Sequence, residues 1–289
     1  MQKQSPWQTI KWLARAMMHL FCRARRFVLL SPNFMKRQVI YDRQTKSFFK
    51  LTIRDGIDYK VLEQVYLSEE YNLRQLERYA DVIADYRMIC SGNKVPLILD
   101  LGAHAGLASK YLCREFPKAQ IIAIEPDADN CTAARMNLEK EGNVEIIHGG
   151  ISHRSGKARL LPSSHGSWAS RTTRDEKGAI QLHSVNSIVE TAARNSCVPF
   201  MVKIDIEGFE QDLFMANTEW IDRFPVIIIE LHDWLFPGQR TSSTFLKSIA
   251  IRDRDFVYVH ENIFSIKNMR SECVLDDACC PESISAQVT

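Results

Sequence analysis

The sequence predicts an α/β fold with a mostly parallel sheet and helices packed on both of its faces. From residue 95 to residue 266, short apolar segments alternate with segments of helical periodicity, which is the pattern of repeated β-α units. Some of the apolar segments are apolar throughout, as is typical of strands buried on both faces. A hydrophobic content of 45% and a charged content of 25% exclude a disordered or fibrous chain.

The elements of this region follow one another at short intervals. We predict strands at 95–101, 119–125, 144–148, 151–161 (around a turn), 200–206, 226–231, 256–260 and 263–266. We predict helices at 104–116, 127–141, 187–195, 210–215 and 244–251. Residues 163–178 are rich in Ser, Thr, Gly and charge and are predicted to form a loop. Such sheets bind ligands outside the carboxyl ends of their strands, so we expect the functional residues there.

A basic extension, residues 1–94, precedes the predicted sheet, and we expect it to be mainly helical and to cap the main domain. Residues 1–50 carry eleven Lys/Arg and one acidic residue, Asp42, although the whole chain has a net charge of only +2. We predict an amphipathic basic helix within residues 7–30, a strand at 48–53 and a long helix at 69–90. The basic helix suits either an anionic membrane surface or packing against the body of the protein.

The remaining boundaries place a catalytic domain at 95–270 and a flexible tail at 271–289.

The even balance of charge gives no reason to expect a nucleic-acid partner. The eight cysteines form no CxxC motif, which disfavours structural zinc and favours reduced thiols in the cytoplasm. No window approaches the roughly 18–20 apolar residues of a membrane span. We therefore expect a cytoplasmic protein, with peripheral contact at the inner membrane face through residues 7–30 as an open alternative.

The first predicted strand of the sheet runs into a glycine-containing loop, DLGAHAG at 100–106. Gly102 permits a tight turn and leaves its backbone open to a ligand, and Gly106 permits close packing of the next helix. His104 stands where the dinucleotide fingerprint has its second glycine, which disfavours NAD. Asp100 at the strand end favours a cationic ligand over a diphosphate. An acid at this place can also cap the helix that follows.

Glu125 ends the second predicted strand and is placed to accept hydrogen bonds from a ribose diol. A sulfonium, an amino acid head group and an adenosine ribose together suit Asp100 and Glu125. That combination describes S-adenosylmethionine, which we predict as the cofactor. The structural alternative is that Asp100 is a cap and Glu125 a solvent-facing strand end.

Two later segments also bring charged side chains to strand ends. In IDIEGFE (204–210), Asp205 and Glu207 are expected beside the ligand cleft, because a charge inside a buried strand is costly. In IIIELHD (227–233), three isoleucines precede Glu230, His232 and Asp233. These groups suit a general base, or a divalent cation held by Asp205, Glu230 and His232. Hydrogen bonds between loops, or an acidic helix N-terminus, are the structural alternatives.

Taken in order, the segments DLGAHAG, IAIEPDADN, VKIDIEGFE and IIIELHDWL resemble the FkbM family of S-adenosylmethionine-dependent methyltransferases, over roughly residues 95–267. The resemblance implies a class I methyltransferase (Rossmann-like) fold, a seven-stranded sheet with a reversed last strand, and O-methylation of a sugar, glycan or secondary metabolite. Two positions depart from the family. His104 stands where many relatives have Asn, at a place expected to offer mainly its backbone, and HSVN at 183–186 replaces a Thr-Leu-Asp stretch.

The resemblance also implies roles for individual residues. Glu125 takes the ribose hydroxyls, the Gly149-Gly150-Ile151 backbone lies at the adenine, and Asp205 and Glu207 face the transferred methyl group. The expected cofactor-binding residues are Asp100, Gly102, Ala103, His104, Gly106, Glu125, Gly150 and Asp205. The expected catalytic residues are Asp205, Glu207, Glu230 and His232, with Asp205 or Glu207 preferred as the base.

Two other functions stay open on the sequence alone. The first is a nucleotide-cofactor oxidoreductase of the NAD type on a similar sheet. The second is a non-catalytic, methyltransferase-like binding module tethered by the basic extension, against which the presence of both Asp100 and Glu125 argues. The sequence does not predict an oligomeric state.

Overall fold

A computed structural model describes residues 25–161 and 171–268. Its strands are β1 (Phe27–Leu29), β2 (Arg37–Asp42), β3 (Ser47–Thr52), β4 (Val95–Leu101), β5 (Gln120–Glu125), β6 (Val144–His148), β7 (Gly150–Ser152), β8 (Gly156–Leu161), β9 (Arg171–Arg174), β10 (Ile180–Ser184), β11 (Cys197–Ile204), β12 (Val226–Glu230), β13 (Arg254–Val259) and β14 (Asn262–Lys267). Its α-helices are α1 (Gly56–Leu62), α2 (Tyr79–Ser91), α3 (Leu107–Glu115), α4 (Ala128–Leu138), α5 (Val185–Ala193), α6 (Glu210–Leu213) and α7 (Ser243–Ala250).

A seven-stranded sheet forms the centre of the described structure, in the order β13-β14-β12-β11-β4-β5-β6. The last strand, β14, runs antiparallel to both neighbours, and the other six strands are parallel. The prediction of an α/β fold with a mostly parallel sheet and a reversed last strand is therefore confirmed. The chain adds β5 and β6 on one side of β4 and β11 and β12 on the other. The strand order thus reverses between β4 and β11, which is where such sheets bind ligands.

Apolar cores cover both faces of the central sheet, because alternate residues of a strand point to opposite faces. On β4, Ile98 packs in one core together with Tyr111 of α3, whereas Leu97 and Leu99 pack in the other core together with Trp220. All five side chains are buried. The strand ends are thereby held on a rigid, doubly covered scaffold.

The extension contains more strand than the sequence predicted. Residues 1–24 lie outside the described residues, so the basic helix and its membrane contact stay predictions. Where that helix was expected to end, Phe27–Leu29 is instead a buried strand, paired antiparallel with β2 in a three-stranded sheet, β1-β2-β3. The helix predicted at 69–90 begins only at Tyr79, since Glu69 has a left-handed backbone (φ 51°) and residues 73–75 form a 3₁₀ turn.

The predicted loop at 163–178 also needs correction. Arg171–Arg174 is a strand that pairs antiparallel with β8, at the edge of a four-stranded sheet ordered β7-β10-β8-β9. Thr172 is buried there and Thr173 follows it, and β-branched residues favour strands. Residues 162–170 lie outside the described residues.

Asp42, the single acidic residue of the first fifty, ties the N-terminal sheet to α3. Its fully buried carboxylate accepts hydrogen bonds from Arg26 Nε at 3.1 Å and Arg114 Nε at 3.0 Å. Burial opposes ionisation, but the two guanidinium groups outweigh it and lower the pKa of Asp42. The interaction therefore stabilises the fold at neutral pH.

Replacing Asp42 with Asn is expected to lower the free energy of unfolding by about 2 kcal/mol, because charge-assisted hydrogen bonds are lost. Urea denaturation at pH 7 measures this free energy of unfolding. Asp81→Asn removes an exposed pair with Arg78 and is the control, expected to cost about 0.5 kcal/mol or less. Since the pKa of Asp42 is lowered in the folded state, its stabilisation is lost as the pH falls below about 4. Equal costs for the two variants at pH 7 would contradict the role of Asp42.

Within the described residues, no helix combines the length and the apolar character that crossing a membrane requires.

Candidate active site

A cleft of about 270 Å³ opens at the carboxyl ends of β4, β5, β11 and β12. It lies where the strand order reverses, so the sheet topology itself places it. The predicted site residues that line it are Gly102, Ala103, His104, Glu125, Gly150, Asp205, Glu207, Glu230 and His232. Two predicted residues, Asp100 and Gly106, lie outside this lining.

The loop after β4 is pressed against the end of β11. Gly102 has a left-handed backbone (φ +80°), and a Cβ atom at this position would lie 1.7 Å from the carbonyl oxygen of Asp205. Gly106 (φ +77°) lets α3 approach α4, since its Cβ would lie 3.1 Å from Ala134. Gly102 therefore lets the loop pack directly against the residue that follows β11, while Gly106 acts through helix packing.

Glu125, at the end of β5, is almost fully buried and holds the loop after β4. One carboxylate oxygen accepts a hydrogen bond from His104 N at 2.8 Å. The other accepts from Asp127 N at 3.0 Å and from Asn130 Nδ2 at 3.1 Å. Burial raises the pKa of Glu125 even though these donors favour the ionised form. A carboxylate oriented by three donors on its own chain presents its remaining lone pairs to the cleft in a fixed direction.

Asp100 is fully buried and reaches the cleft only through a neighbour. Ser109 Oγ donates to it at 2.5 Å, and Lys203 Nζ lies 3.3 Å from its other oxygen. Lys203 lines the cleft, lies 3.3 Å from Asp205 and donates to the carbonyl oxygen of Gly102 at 2.8 Å. Burial opposes its charge, but the two carboxylates raise the pKa of Lys203 well above its ordinary value. A direct contact between Asp100 and the cofactor stays a prediction.

The ring of His104 touches the extension, which the sequence did not predict. His104 Nε2 lies 3.3 Å from Arg54 Nη2, and Arg54 is paired with buried Asp58 at 2.8 Å. Burial lowers the pKa of His104, so the ring is neutral and its Nε2 accepts from Arg54. Its Nδ1 is buried without a hydrogen-bond partner among the described residues.

Four side chains at the ends of β11 and β12 form what we call the acidic cluster: Asp205, Glu207, Glu230 and His232. His232 Nε2 lies 3.5 Å from Asp205 Oδ1, 3.6 Å from Glu207 Oε2 and 3.6 Å from Glu230 Oε1. The predicted catalytic residues thus meet around one nitrogen atom. Asp233 does not join them, because its carboxylate accepts from Thr241 and Ser242 instead.

The members of the acidic cluster differ in their affinity for protons. Burial and the repulsion of Asp205 raise the pKa values of Glu207 and Glu230 to about 8. For Asp205, burial acts in the same direction, but Lys203 and His232 outweigh it and hold the pKa well below its ordinary value. Burial disfavours charge on His232, yet the Asp205 and Glu210 carboxylates raise its pKa to about 12. Glu207 and Glu230 therefore have the pKa values nearest to neutral pH, whereas Asp205 stays ionised and His232 already carries its proton.

Sequence reasoning missed Glu210, which orients the cluster. This fully buried residue lies 2.9 Å from His232 Nδ1 and accepts its hydrogen bond. An acid in the first turn of a helix is ordinarily solvent-exposed, so nothing in the sequence marked it. The strained backbone of Glu207 (φ 52°) was missed as well, and such strain in a non-glycine residue concentrates at functional sites.

The extension supplies one wall of the cleft. Ile57, Lys60, Val61 and Gln64 lie on and just after α1 and line the cleft together with Tyr71. Trp234, which follows the acidic cluster in the chain, also lines the cleft and is 60% exposed. The sequence predicted a cap but offered no motif that would place these residues in the site.

The profile of the methyltransferase FkbM domain matches residues 100–259. A curated relative, hexuronic acid methyltransferase AglP of Haloferax volcanii, is 24% identical over 199 residues, which cover 66% of this chain and 80% of that protein. Among solved structures, precorrin-6y C5,15-methyltransferase of Geobacter metallireducens is similar at a TM-score of 0.35 and 14% identity, over 61% of this chain and 81% of that one. A chain of a fibrillarin/Nop5p complex is similar at a TM-score of 0.35 and 15% identity, over 60% of this chain and 72% of that one.

Proposed function

Because the chain belongs to the FkbM methyltransferase family, we propose that it transfers a methyl group from S-adenosylmethionine to a hydroxyl oxygen of a sugar or glycan. The observation that carries the proposal is one cleft lined by two chemically different groups of residues. Glu125 and the glycine loop, which follow β4 and β5, form one group, and the acidic cluster at the ends of β11 and β12 forms the other. A cofactor and an acceptor can therefore meet between them.

Glu125, His104, Gly150 and Ile151 suit the methyl donor. Glu125 offers its remaining lone pairs to a ribose diol, and Gly150 and Ile151 offer backbone beside an adenine. The buried Nδ1–H of His104, unpartnered among the described residues, is a donor for an amino acid carboxylate. When bound, S-adenosylmethionine supplies an electrophilic methyl group on a sulfonium.

The acidic cluster suits the acceptor. A hydroxyl is a weak nucleophile, so a base within hydrogen-bond reach must take its proton. We assign that task to Glu207 or Glu230, whose pKa values lie nearest to neutral pH, rather than to Asp205. Asp205 stays ionised beside Lys203 and the glycine loop, where it favours a positively charged methyl donor. The protein's task is then to hold the oxygen close to the methyl carbon and in line with it.

A carbohydrate acceptor is favoured by the walls of the cleft. The exposed indole of Trp234 offers a flat apolar surface on which a sugar ring can stack, and Lys60 offers a cation. A curated relative is named as a methyltransferase of hexuronic acid, which is an acidic sugar. We therefore expect the acceptor to be a sugar, with an acidic sugar as the first candidate to test.

Isothermal titration calorimetry with S-adenosylhomocysteine and, separately, NAD tests the cofactor assignment. We expect binding of the former with one site per chain and no measurable heat with NAD, because the loop lacks the second glycine of the dinucleotide fingerprint. Methyl transfer to hexuronic acids and neutral hexosides then ranks the acceptors. Binding of NAD without S-adenosylhomocysteine would overturn the proposal in favour of an oxidoreductase, and cofactor binding without transfer to any sugar would overturn the acceptor assignment.

A further inference from the structure

The acidic cluster has the donor set and spacing of a metal centre. Asp205, Glu207 and His232 each offer one ligand atom, and these atoms lie within 4.8 Å of one another. Glu230 adds a fourth, 3.6 Å from the same imidazole nitrogen. Ligand atoms about 2.0–2.6 Å from a shared ion lie at such mutual distances. The four side chains come from the ends of two adjacent strands, so the sheet holds the set in place.

His232 provides a second, independent observation. Its side chain is 98% buried, with 2% exposed, and its Nδ1–H donates to Glu210, which directs Nε2 at three carboxylate oxygens. Those oxygens lie at 3.5–3.6 Å, beyond ordinary hydrogen-bond length. An imidazole held by a carboxylate on one nitrogen and aimed at acids with the other is the arrangement of metal-binding histidines.

The charges around the cluster also favour a cation. Lys203 lies between Asp100 and Asp205, 3.3 Å from each. Among the described residues, no Lys or Arg forms an ion pair with Glu207 or Glu230, and Glu207 Oε2 is buried without a hydrogen-bond partner. Within the described part of the chain, Glu207 and Glu230 are thus paired only with the imidazole of His232, and a bound divalent cation would displace the Nε2 proton and supply the positive charge in its place.

We propose that Asp205, Glu207, Glu230 and His232 bind one divalent cation. This cation in turn binds two neighbouring oxygen atoms of the molecule that receives the methyl group. Three carboxylates with one imidazole suit Mn²⁺ or Mg²⁺ better than thiophilic metals. The part that concerns the acceptor rests on the proposed function, whereas cation binding does not. Glu210 is a positioning residue, because it acts on the cation only through His232.

The test uses full-length protein from which EDTA has removed any metal. The protein is titrated with Mn²⁺ in the absence of cofactor, and calorimetry and electron paramagnetic resonance measure the binding. We expect one Mn²⁺ per chain. Glu207→Gln and Glu230→Gln should each weaken binding at least about tenfold, since each removes a charged ligand. Glu70→Gln is the matched control, because Glu70 is also a buried carboxylate but lies outside the cluster. Circular dichroism verifies that every variant is folded.

The outcomes separate this inference from the proposed function. Absence of Mn²⁺ and Mg²⁺ binding, or equal binding by the wild type and both cluster variants, would overturn the cation site. If transfer then proceeds unchanged in EDTA, the methyltransferase proposal stands and the carboxylates act directly. If oxygen atoms of the sugar bind Mn²⁺ directly, adding a sugar acceptor should change the Mn²⁺ resonance. An unchanged resonance would overturn the binding of the acceptor to the cation. Failure to bind S-adenosylhomocysteine would instead count against the proposed function alone.

Discussion

Replacing Glu207 and Glu230 together with Gln is expected to lower kcat for methyl transfer by about 10³-fold, within the range of a lost general base. Glutamine retains the size and the hydrogen-bonding oxygen of each side chain but accepts no proton at neutral pH. The affinity for S-adenosylhomocysteine should stay within about threefold of wild type, because Glu125 and the glycine loop, which we expect to bind the cofactor, are unchanged in this variant. Calorimetry and single-turnover assays measure the two quantities separately.

The double variant is needed because each carboxylate can replace the other. Both lie 3.6 Å from His232 Nε2, and burial together with Asp205 raises both pKa values to about 8. Single variants should therefore lose less activity than the pair. The loss is expected whether the carboxylates take the proton directly or hold a cation that lowers the pKa of the hydroxyl, and the EDTA experiment distinguishes these two routes.

Two further proteins make the result interpretable. Glu207→Gly removes the same carboxylate without backbone strain, since glycine adopts the φ of 52° freely, and circular dichroism verifies that this variant is folded. Glu70→Gln removes a buried acid outside the cluster and should retain turnover. If the double variant turns over within about tenfold of wild type, the base assignment is wrong, because a lost general base costs at least 10²-fold.

The sequence predicted the scaffold well because burial leaves a direct signature in it. Strands covered on both faces are mostly apolar, and an acid marks the end of two of them, since Asp205 follows β11 and Glu230 is the last residue of β12. Adjacent parallel strands bring such ends together, so the position of the cleft and its acidic residues followed from the one-dimensional pattern. The reversed last strand came from the family resemblance, since β13 and β14 read only as a hairpin.

The errors share a physical cause, which is tertiary contact overriding local pattern. Asp100 lies within β4 rather than after it, and the alternation of a strand directs its side chain into the core towards Ser109 and Lys203. Phe27–Leu29 continues a helical pattern in the sequence but is a strand because β2 provides a partner. Glu210 left no signal at all, since its importance lies in a contact with His232 twenty-two residues away.

The largest effect on cofactor binding is expected from Glu125→Gln, which should weaken the affinity for S-adenosylhomocysteine about 100-fold, or about 2.7 kcal/mol. The buried carboxylate accepts from two backbone N–H groups, His104 N and Asp127 N. A glutamine directs its NH₂ group at one of these donors whichever way the amide is turned, so one buried donor is left unpaired. The ribose diol simultaneously loses a charged acceptor.

Asp129→Asn is the control for this prediction, because Asp129 is an exposed acid in the first turn of α4, four residues further along the chain. It should leave the affinity within about twofold of wild type, as expected of a surface charge. Turnover at saturating cofactor should fall less for Glu125→Gln than for the Glu207/Glu230 double variant, since Glu125 binds the nucleoside end and takes no part in proton transfer. Wild-type affinity in Glu125→Gln would place the ribose elsewhere in the cleft. Glu125 orients the backbone of the glycine loop through His104 N. The same result would therefore limit the loop to packing between β4 and β11, without a role in binding the cofactor.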